Sequence, residues 1–525
     1  MYSYLFAHAT VIDGTGSERY VADVALDGDR IAAIGSLDPS KAERVVDARG
    51  MFLTPGFIDI HAHSELMALR DPVMKAKVQQ GITTEVSGNC GIGPFPCKAD
   101  DTPIKTLTQD ILGQWNGHYW RSFKDYTDAL RLHGTGCNMA FLASHSALRC
   151  AVLSGNPNRA ATDSEIQDMC ALLAECFNQG CIGFSSGLYY APCLYAEAKE
   201  LKALLLTTRF HGGFFAVHHR CEGDSVLESL KEVLDLARQS GVRLEVSHLK
   251  ALGSQNQHKV KKMLSLLEEA QKEGVDVHFD QYPYTYGSTS LFSLLPPAYL
   301  KLARNELREH LKDPSVRAAI KEEMAHPAGW DSIYETAGWD QISILVLESH
   351  PEYEMRTIAQ IAEQQGVDPF DCFFDLLAGE PGTALMADVT QSEKSLVEIL
   401  QHPMMCFGTD ALYAGSLCHP RSYNAAVHLL GRYGRQLKVV AWEQLIRRMT
   451  GETALRLRLH DRGTIAVGKK ADLVLFNPLT IRDTSTLQHP DSTPIGLHMV
   501  FVNGVLAAEE GIATGTASGQ LLLSL

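Results

Sequence analysis

The sequence predicts an α/β protein: a parallel sheet with covering helices in the middle of the chain, flanked by two β-rich ends. Two observations predict the middle. Apolar β-branched runs alternate with amphipathic helical runs, and they do so at the spacing of repeated strand-then-helix units. A third observation predicts the ends. Both lack helical periodicity and consist of short apolar runs beside turn dipeptides, which points to one small β domain built from both termini.

In order along the chain, residues 21–26 form an apolar run broken only by Asp23, and residues 31–34 form another; Asp13-Gly14 and Asp27-Gly28 are turn pairs beside them. Residues 81–86 are strand-like. Residues 163–179 are helix-like, with Thr162 or Asp163 as cap. Strand-like runs at 182–185, 244–246 and 275–280 interleave with helical runs at 226–239 and 260–272. The region from about 300 to 400 is charged, helical and less regular, and reads as an insertion before the last strand or as a lid. Residues 473–476 and 499–502 are apolar again, the second followed by Asn503-Gly504. The expected division is a β domain from 1–54 with 455–525, and an α/β unit over 55–454 that carries the insertion. Periodicity alone leaves a closed and an open sheet equally open.

With 525 residues, 45% of them apolar and 21% charged, the chain can bury a large core without a disulfide framework. The formal net charge of -15 argues against a nucleic-acid or anionic-membrane partner, although a few local cations can still hold a small anionic substrate. No basic segment followed by a long apolar run opens the chain, and no stretch reaches the roughly 18 apolar residues of a membrane span. The twelve cysteines show no Cys-X-X-Cys spacing and read as reduced thiols, so a cytoplasmic location is expected. Oligomeric state is not legible.

The strongest local signal is Thr54-Pro55-Gly56-Phe57-Ile58-Asp59-Ile60-His61-Ala62-His63, an apolar strand ending in His-X-His. Residues two apart on a strand point the same way, so His61 and His63 can face one metal ion. More ligand types stand at other strand ends. Phe214 to Val217 runs into His218, Leu244 to Ser247 into His248, and Met404 to Thr409 into Asp410, while Cys90 lies just past the strand-like run at 81–86. In a barrel, strand C-termini converge on one face. Taken singly, a strand-end histidine reads as a hydrogen-bonded structural residue, Cys90 as a core thiol and Asp410 as a turn residue. Together, their nitrogen, sulfur and oxygen donors suit zinc.

These motifs, with Gly88-Asn89-Cys90-Gly91, Ser185-Ser186-Gly187-Leu188-Tyr189-Tyr190, Val246-Ser247-His248-Leu249-Lys250, Tyr282-Pro283-Tyr284-Thr285 and His419-Pro420-Arg421, resemble the amidohydrolase superfamily, and within it the N-acyl-D-amino-acid deacylases (D-aminoacylases). The resemblance runs over essentially the whole chain. It implies a distorted (β/α)8 TIM barrel with a β-sandwich from both ends. It also implies that Cys90 ligates metal where many relatives use a carbamylated lysine. A tight zinc site of Cys90, His218 and His248 follows from the family pattern, and so does a weaker second site of His61, His63, Cys90 and Asp410. Two departures stand out. The chain has Val217-His218-His219-Arg220 where the family has Thr-His-Met-Arg; distance from Arg220 selects His218, and a one-residue shift would select His219. It also has Thr409-Asp410-Ala411 where Ser-Asp-Gly is usual, which questions the local backbone.

The reaction the resemblance implies is hydrolysis of N-acyl-D-amino acids to a carboxylate and a free D-amino acid. Zinc lowers the pKa of a bound water to roughly 7, which supplies a nucleophile near neutrality. Asp410 is the expected general base and acid, and Tyr190 the expected donor to the developing oxyanion. Arg421, Lys250, Tyr282 and Ser288 are the expected carboxylate pocket. The run Leu291-Phe292-Ser293-Leu294-Leu295, with Tyr286, either favours a hydrophobic substrate side chain or is core. Competing readings are a D-dipeptidase, an amidohydrolase of cyclic amides, and a non-catalytic binding protein on the same frame. Cys90 argues against the bridged-lysine cyclic amidases, and the full ligand set argues against lost catalysis.

Overall fold

The computed structural model describes residues 1–153, 155–415 and 418–524. Eight strands carry its middle: β1 (Phe57–Ala62), β2 (Ile82–Ser87), β3 (Asn138–Ser144), β4 (Gly183–Gly187), β5 (Phe214–His218), β6 (Arg243–Val246), β7 (Val277–Gln281) and β8 (Met405–Phe407). They lie side by side in chain order, every pairing parallel. Just past β8 the sheet closes on itself. The Asp410 amide donates to the His61 carbonyl at 2.8 Å, and the His63 amide to the Ala411 carbonyl at 3.0 Å. All residues of β1, β2 and β3 are buried, as expected for strands covered on both faces.

The helices between strands form for reasons visible in their sequence. Asp163–Asn178 opens on a capping box: the Glu165 amide donates to Thr162 Oγ1 at 3.3 Å, and the Thr162 amide to Glu165 Oε2 at 2.8 Å. Its buried stripe, Ile166, Met169, Leu173 and Phe177, repeats every three or four residues and packs on the barrel. Val226–Ser240 ends at Gly241 with φ 67°, the left-handed cap that glycine supplies at no steric cost.

Between β7 and β8 the alternation stops. Tyr286–Ser290, Ala384–Val389 and Ile342–Leu347 form a separate three-stranded antiparallel sheet. Helices close over it around a core that includes Leu291, Leu294, Ile344 and Phe373. Its first strand, Tyr-Gly-Ser-Thr-Ser, has no apolar run, so the insertion starts ahead of the charged helical region that betrays it in the sequence.

Both chain ends enter one nine-stranded mixed sheet. Phe52–Pro55, which leads directly into β1, pairs with Tyr2–Val11 on one side and Leu473–Phe476 on the other. Phe6 and Phe501 sit three strands apart, about 14 Å in a flat sheet, yet their rings meet edge-on at 5.4 Å. The sheet therefore folds over into two layers around Phe6, Val24, Leu53, Leu473 and Phe501. Asn503 and Gly504 take φ of 50° and 77° and turn Leu497–Val502 tightly into Val505–Glu509. All twelve cysteines are free. Among the described residues no helix is long and apolar enough to cross a membrane.

Candidate metal centre

The C-terminal ends of five barrel strands bring six side chains together. His61 and His63 come from β1, Cys90 from the loop after β2, His218 from β5, His248 from just past β6 and Asp410 from just past β8. Cys90 Sγ lies 3.4 Å from His61 Nε2 and 3.7 Å from His248 Nε2. Asp410 Oδ1 lies 3.5 Å from His61 Nε2 and 3.4 Å from His63 Nε2. The His218 and His248 ring centres are 4.5 Å apart. Three triads have all donor atoms within 4.8 Å of one another: His61, His63 and Cys90; Cys90, His218 and His248; and His61, His248 and Asp410.

Three of these six residues have left-handed backbones: Cys90 at φ 52°, His248 at 33° and Asp410 at 50°. Such a conformation costs a non-glycine residue about 1–3 kcal/mol and persists only where its surroundings impose it. Around Cys90 the imposition is visible. Asn89 Nδ2 donates to the Ile60 and Val86 carbonyls, and the Gly88 amide donates to Glu65 Oε1 at 2.7 Å. A Cβ on Gly88 would stand 2.4 Å from the Leu142 carbonyl oxygen, and one on Gly91 2.8 Å from the Gly187 amide nitrogen. Both glycines of Gly-Asn-Cys-Gly are thus needed to press the thiol loop against its neighbours. The His248 amide is held by Asp280 Oδ1 at 2.8 Å. Asp410 is positioned through Thr409, whose hydroxyl donates to Asp59 Oδ2 at 2.6 Å. Asp59 is in turn neutralised by buried Lys77 at 2.7 Å.

A second set of charges orients the donors. Asp280 accepts from His61 Nδ1 at 3.0 Å, leaving Nε2 free to face Cys90 and Asp410. Glu222 Oε1 lies 3.1 Å from His248 Nδ1 and accepts from Lys250 Nζ at 2.7 Å, and Lys250 Nζ itself meets His248 Nδ1 at 3.0 Å. Arg421 Nη1 lies 2.9 Å from Asp410 Oδ2. Burial alone would raise Cys90 and Asp410. Instead the imidazoles around Cys90, His61 foremost, hold its thiol well below the usual range, and Arg421 with His61 does the same for Asp410. Both shifts favour the anionic form in which a thiol and a carboxyl bind metal. His218 shifts the other way, down, chiefly by burial, and stays a neutral ligand.

These residues fit a zinc ion. Both ring nitrogens of His218 are buried with no hydrogen-bond partner in the protein, and so is Nδ1 of His63. An unmet buried polar group costs about 1–3 kcal/mol, and a cation at this point removes that cost. Two imidazoles and a thiolate converging at one strand-end face make a zinc donor set that leaves a fourth position open. Replacing Asp280 by Asn is expected to weaken zinc affinity about 10–100-fold. Competition with a chromophoric chelator measures this, and unchanged affinity would remove Asp280 from the role of orienting His61.

Of the residues singled out in the sequence, His218 points inward. His219 is turned away and bonds Ser229 Oγ through Nδ1 at 3.0 Å, so strand alternation distinguishes the pair. Ala411 has no positive φ and donates to Thr409 Oγ1 at 3.1 Å, so no glycine is needed there. Lys250 does not reach the site along a continuing strand, because β6 ends at Val246. The turn at His248 carries it in. Tyr190 stacks edge-on with His218 at 4.9 Å and shares a hydrogen bond with Thr289 Oγ1 at 3.1 Å. Its pKa is pushed well up, chiefly by burial, which keeps it a donor. Tyr282 lies under the Arg421 guanidinium at 4.8 Å, and the Ser288 carbonyl accepts from Arg421 Nη2 at 3.2 Å. Sequence reading missed Glu222 and Asp280. Asp280 was legible as one more acid at a strand end. Nothing marks Glu222, four residues past His218 in a loop.

A closed parallel barrel that gathers such donors at its strand C-termini defines a metal-dependent hydrolase of the barrel class. Residues 44–508 match the Amidohydrolase family. D-aminoacylase from Alcaligenes xylosoxydans xylosoxydans is 33% identical over 521 residues, 99% of this chain and 97% of the relative. The structure of N-acyl-D-glutamate deacylase from Bordetella bronchiseptica, complexed with zinc and a phosphonate mimic of the tetrahedral intermediate, superposes with a TM-score of 0.86 at 31% identity over 100% of both chains. A D-aminoacylase structure concerned with its binuclear metal center, with one-metal activation and second-metal attenuation, gives a TM-score of 0.84 at 32% identity, again over 100% of both. The chain belongs to the amidohydrolase family.

Proposed function

We propose that this protein is a zinc-dependent deacylase of N-acyl-D-amino acids, releasing a carboxylate and the free D-amino acid. Family membership supports amide hydrolysis, and the relatives named above supply the D-amino acid. The observation that carries the substrate's carboxylate is a small polar pocket beside the donor cluster. Arg421 is 1% exposed there, with Nε lacking any partner, and the Ser288 hydroxyl is buried and unpartnered too. Lys250, Tyr282 and Asp410 line the same space. A guanidinium and a hydroxyl with unused donors suit a carboxylate.

Cys90, His218 and His248 would hold the tight zinc, and His61, His63, Cys90 and Asp410 a weaker second ion. Bound zinc supplies an acidified water and positive charge beside the amide carbonyl. Asp410, kept ionised by Arg421, accepts the water's proton and hands it to the leaving nitrogen. Tyr190, kept protonated, donates toward the carbonyl oxygen as charge develops on it. Arg421, Lys250, Tyr282 and Ser288 fix the α-carboxylate and so set which face of the amide meets Asp410. The free cysteines favour a reducing, cytoplasmic setting.

The experiment is a comparison of N-acyl-D-amino acids with N-acyl amines that lack the carboxylate. For wild type, kcat/KM is expected to fall about 100-fold or more when the carboxylate is removed. Arg421→Lys is expected to raise KM for the acid about 10–100-fold and leave the amine's poor rate unchanged. Equal losses on both substrates would assign Arg421 to holding Asp410 rather than to binding the carboxylate.

A further inference from the structure

The pocket that holds Arg421 and Lys250, about 50 Å³, shares Tyr189, Tyr190, Thr289 and Asp331 with a cavity of about 500 Å³ that reaches Cys90, so the two form one space. Four acids line the smaller part: Glu222, Asp331, Asp388 and Asp410. Three of them are engaged. Glu222 accepts from Lys250 Nζ at 2.7 Å, and Asp410 Oδ2 lies 2.9 Å from Arg421 Nη1. Asp331 Oδ2 accepts from the Glu222 and Gly223 amides at 2.6 and 2.7 Å. Asp388 is left over. It is 4% exposed. Among the described residues no other one donates a hydrogen bond to its carboxylate, and no cationic group stands within 4 Å of it.

The position of this carboxylate in the fold calls for an apolar residue. Asp388 lies on Ala384–Val389, the middle strand of the insertion's sheet. Side chains alternate along a strand, and Ala384 and Met386, which share its face, pack the insertion's core. Leu252 and Ile333, from the same core, form the pocket wall beside it. Opposite Asp388 in the ladder stands Gly287. A Cβ there would meet Tyr282 Oη at 3.2 Å and Asp388 Oδ1 at 3.8 Å, so the carboxylate and the Tyr282 hydroxyl flank the same point. Burial pushes the Asp388 carboxyl up to about 6, against the pull of Lys250 and Arg421. A buried carboxylate without a partner is costly, and a cation brought to it offsets that cost.

The connectivity of the substrate brings its side chain here. The α-carboxylate sits on Arg421 beside Tyr282, and the side chain leaves from the Cα to which that carboxylate is bonded. We infer that Asp388 selects D-amino acids whose side chain carries a cation, such as D-ornithine, D-lysine or D-arginine, over neutral and acidic ones. This rests on the deacylase reading and names the substrate class within it. A hydrogen bond to a charged group contributes about 10–100-fold in binding. An acidic side chain meets like charge instead.

The test compares the Nα-acetyl derivatives of D-lysine, D-norleucine and D-glutamate with zinc-loaded enzyme. Norleucine keeps the carbon chain of lysine and lacks the ammonium. The D-lysine derivative is expected to exceed the D-norleucine derivative about 10–100-fold in kcat/KM. The D-glutamate derivative is expected to fall about tenfold or more below D-norleucine. Asp388→Asn keeps the size of the side chain and removes its charge. It is expected to lower the lysine-to-norleucine ratio about tenfold or more and to raise glutamate relative to norleucine. A residue that only held the insertion's sheet would lower all three alike and keep the ratios. Calorimetric titration with free D-lysine and D-norleucine reads the same preference without turnover, and D-lysine should bind about tenfold tighter to wild type only. Norleucine or glutamate derivatives turned over as well as the lysine derivative, or a ratio unmoved by Asp388→Asn, would overturn the inference and leave deacylation standing. No turnover of any N-acyl-D-amino acid would remove the deacylase reading, and this inference with it.

Discussion

Replacing Asp410 by asparagine is expected to lower kcat by about 10³-fold while the tight zinc of Cys90, His218 and His248 stays bound. The substitution keeps the shape of the side chain and the backbone bond that closes the barrel, since the bond to the His61 carbonyl comes from the Asp410 amide. What it removes is the anion. The carboxylate sits 3.4–3.5 Å from His61 and His63 and is held well below its ordinary pKa by Arg421. Such a carboxylate is a weak base. That suffices when the water it deprotonates is already acidified by a metal. Loss of a positioned general base costs about 10²–10⁴-fold, and here the same group also returns the proton to the amine. The check is steady-state kinetics beside elemental analysis of bound zinc. A variant within tenfold of wild type would place the base elsewhere.

Cys90→Ser is expected to abolish activity by a different route, through the metal. Cys90 is the one donor shared by the two triads that hold the best zinc ligands. Its loop is built around it, with a left-handed backbone and glycines that no larger residue could replace. Serine fits the same space with almost no change in volume, so the fold should survive. Its hydroxyl does not ionise as a thiol does, and the soft donor is lost. Zinc affinity is expected to fall by more than the roughly 100-fold that an orienting residue controls. Cobalt substituted into wild type should show a thiolate charge-transfer band that the variant lacks. Thermal unfolding of both proteins without metal should coincide. A variant that keeps its zinc and the band would remove Cys90 from the ligand set.

The fold was legible where local pattern and global position agree. Strand-then-helix alternation is strongest where each strand is buried on both faces and reads as an apolar run, as in β1, β5 and β6. Closure of the barrel was not legible from periodicity, because it depends on two backbone bonds between His61, His63, Asp410 and Ala411 that leave no compositional trace. The insertion's sheet was hidden because one of its strands is polar and half exposed. The donors were legible because each stands at the end of an apolar run. Their supports were harder to see. Asp280 and Glu222 meet ligands more than twenty residues away in sequence, and Lys77 neutralises Asp59 from the helical turn Lys75–Val78. The apolar run 291–295 turned out to serve two roles. Leu291 and Leu294 pack the insertion's core, and Phe292 and Leu295 also line a cavity of about 500 Å³ that reaches Cys90. Whether such a run faces core or cavity depends on the turn it sits in, and here that turn is a short 3-10 helix.

The account turns on one claim, that this donor cluster hydrolyses the amide of N-acyl-D-amino acids. The most direct measurement is release of free amino acid by zinc-reconstituted protein from matched N-acyl-D- and N-acyl-L-amino acids. The prediction is turnover of the D series, with the L series lower by about 100-fold or more, because inverting Cα moves the amide off the geometry that Arg421 and Asp410 fix between them. Zinc-loaded protein that releases nothing from either series, or that releases both alike, would contradict it.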